Sequence, residues 1–283
     1  MESKVLEFFG YSTRDPSIDN WNEILSSQLC RFTSSKCFKV RKSEPDISIG
    51  TCTVRYGKEK KDVIICPNRL LENRQVFTDC IQLLTLHEPG NEFHVISEVS
   101  IPGGSVDYFL VSARNGQVKD FVAIEFQTLD TTGTVWPERQ KLLVELGIDS
   151  LNLSDNSKSF GMNWKMTAKT ILVQLHHKIE TFEHFNKHLV LVVQDYLLKY
   201  MMAEFTFDHL NNPARIGDSM HFHSYSLIEN DGKFKLELSE RLSTDADGIA
   251  TCLGLQAEAK VELEEIIKEL EGKLSRNTLL MVG

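Results

Sequence analysis

An aspartate and a Glu-x-Gln triplet on two adjacent predicted strands constrain this 283-residue chain more than any other feature. The first strand is Val106-Asp107-Tyr108-Phe109-Leu110-Val111, reached through the turn Pro102-Gly103-Gly104. The second is Phe121-Val122-Ala123-Ile124-Glu125-Phe126-Gln127. Both are rich in β-branched and aromatic residues and bounded by turn formers, which predicts a β-hairpin. Strands this apolar are normally buried, and a buried carboxylate is costly unless it is paired or metal-bound. Glu125 and Gln127 are two apart and project from one strand face. Asp107, on the neighbouring strand, can converge on them. Two carboxylates meeting at the edge of a core suggest a divalent cation. The plainer alternative is a pair of solvated strand ends, because perturbed carboxylates also arise for structural reasons.

Cysteine usage is the second constraint. Four of the six cysteines, Cys30, Cys37, Cys52 and Cys66, lie in one stretch. Four neighbouring thiolates suit a tetrahedral zinc or iron site, which would fix a segment too small for a core of its own. The spacing is looser than the paired C-x-x-C knuckles of zinc ribbons, so disulfides and ordinary buried thiols compete with the metal reading. The opening Met1-Glu2-Ser3-Lys4-Val5-Leu6-Glu7 lacks signal-peptide character. A reducing, cytoplasmic setting is therefore expected, in which disulfides are rare. Cys80 and Cys252 stand apart and read as core residues.

Charge follows the cysteines. The chain is acidic overall, at -9, yet residues 30–74 carry eleven Lys or Arg against five Asp or Glu. That local excess of +6 leaves -15 for the rest, and a basic segment inside an acidic protein points to a phosphate-bearing partner. A solvated lysine loop around residues 58–61 is the plainer account. With 41% hydrophobic and 25% charged residues, the chain is ordinary globular material. Its longest apolar run, Leu189 to Val193, is far too short to span a bilayer, so no membrane role is expected.

Periodicity supplies the outline of the fold. Helices are expected over Trp21 to Leu29, Val76 to Thr85, Thr167 to Phe185 and Glu258 to Leu274. Strands are expected near Ile64 to Cys66, over Phe93 to Ile101, through the hairpin, at Leu189 to Val193, and as a pair around Asn230-Asp231-Gly232. A mixed sheet of about five strands between helices makes an α/β or α+β core. Two regions are expected: 1–74, carrying the cysteine module, and 75–283.

Asp107 followed by Glu125-Phe126-Gln127, on consecutive strands after a helix, resembles the core of PD-(D/E)xK nucleases. The string Glu125-Phe126-Gln127-Thr128-Leu129-Asp130-Thr131-Thr132-Gly133, with four cysteines upstream, resembles the NotI family of type II restriction endonucleases. Two departures from the broad nuclease pattern stand out. Val106 precedes Asp107 where a proline is usual, and Gln127 occupies the usual lysine position, as NotI-like enzymes are expected to show. The resemblance implies a prokaryotic homodimer cutting double-stranded DNA at a palindromic, GC-rich site, with iron at the cysteines. The thiolates alone do not choose iron over zinc. A cognate DNA methyltransferase would act alongside without being a bound partner.

Phosphodiester hydrolysis needs charge stabilisation, an activated water and a neutralised leaving group, all of which one or two Mg²⁺ ions can supply. Asp107 and Glu125 would give carboxylates and Phe126 its carbonyl, with water and phosphate completing the shell. Gln127 can orient a water but brings no charge. Glu98, one strand earlier, is an extra acid or a surface residue; Glu88 and Glu92 are weaker choices. Asn163, Lys165 and Lys169 at a helix start could meet phosphates, or be simple exposed residues. His176-His177 and His221-x-His223 lack a third ligand nearby and read as core or surface histidines. Two other functions stay open: a repair or structure-specific nuclease of the same superfamily, and a non-catalytic DNA-binding protein built on the cysteine module.

Overall fold

The computed structural model describes residues 3–41, 43–101, 104–148, 160–255 and 267–268. The N-terminal third holds β1 (Val5–Phe8), β2 (Tyr11–Ser12), α1 (Trp21–Ser27), β3 (Val40–Arg41), β4 (Glu44–Ser48), β5 (Thr51–Tyr56) and β6 (Lys61–Ile64). A 3-10 segment (Pro67–Arg74), the short α2 (Gln75–Thr78) and a 3-10 turn (Ile81–Leu83) lead on. Then come β7 (Glu92–Ile101), β8 (Gly104–Arg114), β9 (Gln117–Gln127), β10 (Thr131–Thr132), α3 (Trp136–Glu145) and β11 (Gly161–Met162). The chain continues with α4 (Trp164–His184), β12 (His188–Gln194), α5 (Asp195–Glu204), β13 (Met220–Asn230), β14 (Lys233–Thr244) and α6 (Ala246–Cys252).

Six strands form the central sheet, in the order β14-β13-β12-β9-β8-β7. β12 runs parallel to both β9 and β13, and the other pairings are antiparallel. The sheet is thus mixed and has one strand more than the sequence suggested. All seven residues of β12 are buried, which is why its sequence is a near-continuous aliphatic run: a central parallel strand is covered on both faces. Its side chains alternate between two cores. Leu189, Leu191 and Val193 join α4, while Val190 and Val192 join the opposite layer with Val76, Phe77 and Tyr225. Helix α4 presents Ile171, Leu172, Leu175, Ile179 and Phe182 as an apolar stripe, matching the predicted helix.

The N-terminal strands were mostly illegible. β2, β1, β5 and β6 form a four-stranded sheet of their own. Val54, Val63 and Ile65 from it share the cluster under α4. Gln194 at the end of β12 ties the two sheets: its Oε1 accepts from the Ile64 N–H at 2.9 Å, and its Nε2 donates to the Asp62 carbonyl at 2.7 Å. The expected helix over Val76 to Thr85 is broken instead. Asn73 and Arg74 take left-handed backbone angles, and only Gln75–Thr78 winds as α-helix before a 3-10 turn. Its apolar residues still reach the core, Val76, Phe77, Leu83 and Leu84 being buried there. The predicted helix over Glu258 to Leu274 lies outside the described residues except at Ile267 and Lys268, which are helical.

Candidate active site

The hairpin forms as its sequence predicts. β8 and β9 pair antiparallel up to Tyr108↔Ile124, and Asp107 and Glu125 stand one step beyond that pair. There the ladder gives way to a side chain: the Phe126 N–H donates to Asp107 Oδ2 at 2.8 Å. On its other side, Glu125 lies level with Leu191 of β12. The carboxylates therefore sit where β8 peels away from a strand otherwise locked into the sheet. Residues 123, 125 and 127 share a strand face. Ala123 of that set packs into the cluster under α4, so Glu125 and Gln127 face the α4 side.

Lys178 completes it. This helix residue was not foreseen. Its Nζ donates to Glu125 Oε1 at 2.6 Å and to the Ser105 carbonyl at 2.6 Å, and both charged side chains are only 6% exposed. The signal was present: Lys178 falls on the stripe Ile171, Leu175, Phe182, three and four residues from its neighbours, where a lysine is out of place. Burial pushes the Glu125 carboxyl up to about 7, despite the opposing pull of Lys178; Asp107 adds a smaller upward push. Asp107 is half-buried and also raised, chiefly by desolvation, with the Phe126 N–H and Lys178 opposing. Shifts of this kind, from burial plus charge neighbours in one cluster, make the two carboxylates candidates for a functional site.

The other predicted residues fall at graded distances. Gln127 is half-buried, and its Nε2 donates to the Thr128 carbonyl at 2.6 Å. Glu98 is exposed on β7 with φ 56°, and its charge is felt at Asp107 without a direct bond. Glu88 and Glu92 lie in solvent, each with a basic neighbour (Arg114 and His94). Asn163 caps α4, and Lys165 and Lys169 are exposed on its first turns. His221 and His223 are buried and held neutral by desolvation, so they behave as core residues. Cys80 and Cys252 are buried as expected.

The four clustered cysteines are buried and unbridged. Cys30 and Cys37 belong to a small hairpin: the Cys30 N–H donates to the Ser35 carbonyl and the Cys37 N–H to the Gln28 carbonyl. Cys52 lies on β5, and Cys66 follows β6 at the start of the 3-10 segment. Their charges are mutually felt: Cys66 and Cys30 act on both Cys37 and Cys52. Cys66 is drawn down to about 6 by the Cys52 thiol, Lys39 and the backbone N–H groups of Asn68 and Arg69. Cys52 is raised in turn. Among the described residues no group of three or more His, Cys, Asp or Glu stands in a ready metal-holding arrangement.

The basic segment is partly spent internally. Arg41, Arg55, Lys61 and Arg69 pair with Glu44, Asp62, Glu59 and Glu7 respectively. Arg69 is fully buried. Arg31, Lys36, Lys58, Lys60 and Arg74 remain exposed. Among the described residues no helix is long and apolar enough to cross a membrane.

No curated protein matches the chain. The family model for restriction endonuclease NotI matches residues 24–216, spanning the cysteine segment, the hairpin, α4 and β12. That match covers well over half of the sequence, and the chain belongs to the NotI restriction endonuclease family.

Proposed function

We propose that the protein is a Mg²⁺-dependent type II restriction endonuclease that cuts double-stranded DNA at one short, palindromic, GC-rich sequence. Family membership implies DNA cleavage by a restriction endonuclease. The observation that carries the finer reading is the convergence of Asp107 and Glu125 where β8 and β9 separate. Mg²⁺ keeps several waters and needs only one or two carboxylates, so a two-carboxylate centre fits it. Asp107 Oδ and Glu125 Oε atoms would hold the ion together with the Phe126 carbonyl, and the ion would polarise the phosphate and its attacking water. Gln127, two residues past Glu125, orients that water with a neutral amide. Glu98, beside Asp107 in charge but exposed, serves as a further acid.

The four thiols fit a structural iron or zinc ion. What supports this is that all four are buried, unbridged sulfur donors whose charges act on one another. Such a site would fix residues 1–74 as a module against the catalytic region, 75–283. Two copies of the chain, acting as a homodimer in the cytoplasm of a prokaryote, would meet the two strands of a palindrome. A methyltransferase of matching specificity would protect host DNA. The test is a digest of sequenced plasmid with purified protein and Mg²⁺, followed by end mapping. Discrete fragments sharing one sequence at every end are expected. Unspecific degradation would favour a repair-type nuclease, and no cleavage with any divalent ion would leave DNA binding alone.

A further inference from the structure

We infer that Lys178 stands in the place of a second divalent cation, so that the cleavage centre takes one Mg²⁺-class ion per chain and not two. This rests on the proposed reading of Asp107 and Glu125 as metal ligands. Two-metal centres hold their ions about 3.5–4 Å apart and share ligands between them. Here the carboxylate best placed to be shared, Glu125, already gives Oε1 to the Lys178 ammonium at 2.6 Å. That oxygen keeps a lone pair, but the ammonium beside it repels a cation, which leaves the second oxygen as the better ligand.

The ammonium is built into the fold rather than draped over it. The Ser105 carbonyl, two residues before Asp107, accepts from the same Nζ at 2.6 Å, so Lys178 ties β9 to β8. Gly104 leaves room for it: a Cβ there would lie 3.3 Å from Lys178 Cε, and the backbone φ of +135° disfavours other residues. Lys178 lies on the buried face of α4, and its side chain is 6% exposed.

Charge points the same way. Lys178 already offsets one of the two clustered carboxylates, Asp107 and Glu125. A second divalent ion would add further uncompensated positive charge beside the buried ammonium, where charge imbalance is expensive.

The test counts Mn²⁺ bound to the full chain, with any metal at the four thiols left in place, by the loss of the free-ion paramagnetic resonance signal. Asp107→Ala sets the baseline. Wild type should bind one Mn²⁺ above that baseline, and Lys178→Gln, which frees Glu125 Oε1, should bind two. Lys178→Arg, which keeps the charge, should bind one. Two ions in wild type, two in Lys178→Arg, or only one in a folded Lys178→Gln protein would overturn the inference. If Lys178→Gln does not fold, Lys178→Met, which also removes the ammonium, takes its place: two ions are expected, and one would overturn the inference. No ion above baseline in wild type would instead sink the metal reading of Asp107 and Glu125, and this inference with it.

Discussion

A carboxylate that is almost buried beside an ammonium, with a second carboxylate one step along the neighbouring strand, gives each side chain a separable duty. Gln127 is the mildest of them, since its amide contacts the Thr128 carbonyl and brings no charge. Gln127→Ala should therefore slow cleavage by roughly 10- to 100-fold, the usual cost of losing an orienting group next to a metal. A single-turnover rate on plasmid DNA reads this, and a total loss would give Gln127 a larger role than orientation. The histidines of β13 make a different kind of prediction. Burial lowers His221 to about 4 and His223 to about 3, while the unfolded chain titrates near 6.5. Below pH about 6.5 the unfolded state binds protons that the folded state refuses. Their contribution is thus present above that pH and lost as pH falls through it towards 4. Urea midpoints measured from pH 7.5 to 4.5 should drop, and His223→Phe should shallow the slope. Because the raised Glu125 and Asp107 carboxyls act in the opposite sense over this range, the histidine share is read as the difference between the two proteins, and equal slopes would contradict the burial of His223. Asp107, Glu125 and Gln127 were legible because consecutive strands place neighbours in sequence next to each other in space. Lys178 was not: it lies 53 residues from Glu125, and only its misfit on an apolar stripe gives it away.

Elements behave according to how local their determinants are. β7, β8, β9, α4 and β12 follow their sequence patterns closely, because alternation or a helical stripe is set within each segment. The N-terminal strands escaped notice because Val5–Phe8 is a run of only four residues, each buried by partners distant in sequence. α3 escaped because its buried face mixes Leu142 and Leu143 with Glu138, Arg139 and Gln140. Arg139 stacks on Trp136, its guanidinium 4.6 Å from the ring. The cysteine segment is the element-scale claim most open to test. Purified protein should contain one iron or zinc per chain. Serine at Cys30, Cys37, Cys52 or Cys66 should lower the melting temperature by roughly 4–8 °C, the shift that about 2 kcal/mol produces in a domain of this size. Cleavage per folded molecule should change little, because a closed four-thiolate shell has no open position for chemistry. Absence of both metals, with melting unchanged in the serine variants, would end the metal reading.

For the whole molecule, net charge and the local basic excess shape how DNA is met. Lys58 and Lys60 are exposed, whereas Lys61 is tied to Glu59 and lies 5.5 Å from the Tyr196 ring. Binding should weaken steeply with salt, because each neutralised phosphate releases counterions. Alanine at Lys58 and Lys60 should flatten the log-log slope by roughly one unit for each phosphate that is no longer neutralised. Sequence preference should survive, since groups on the phosphates position the protein while groups on the bases specify. An unchanged slope would move the DNA path towards Lys165 and Lys169. The family follows from the match over residues 24–216; that Asp107 and Glu125 are the cleavage centre is the central claim. It is tested most directly by comparing wild type, Asp107→Ala and Glu125→Ala for Mg²⁺-dependent cutting and for duplex binding in EDTA. Both variants should bind DNA within a few-fold of wild type, and each should lose cutting by on the order of a thousandfold or more. Cutting within a few-fold of wild type by either folded variant would contradict the account and make the carboxylates structural.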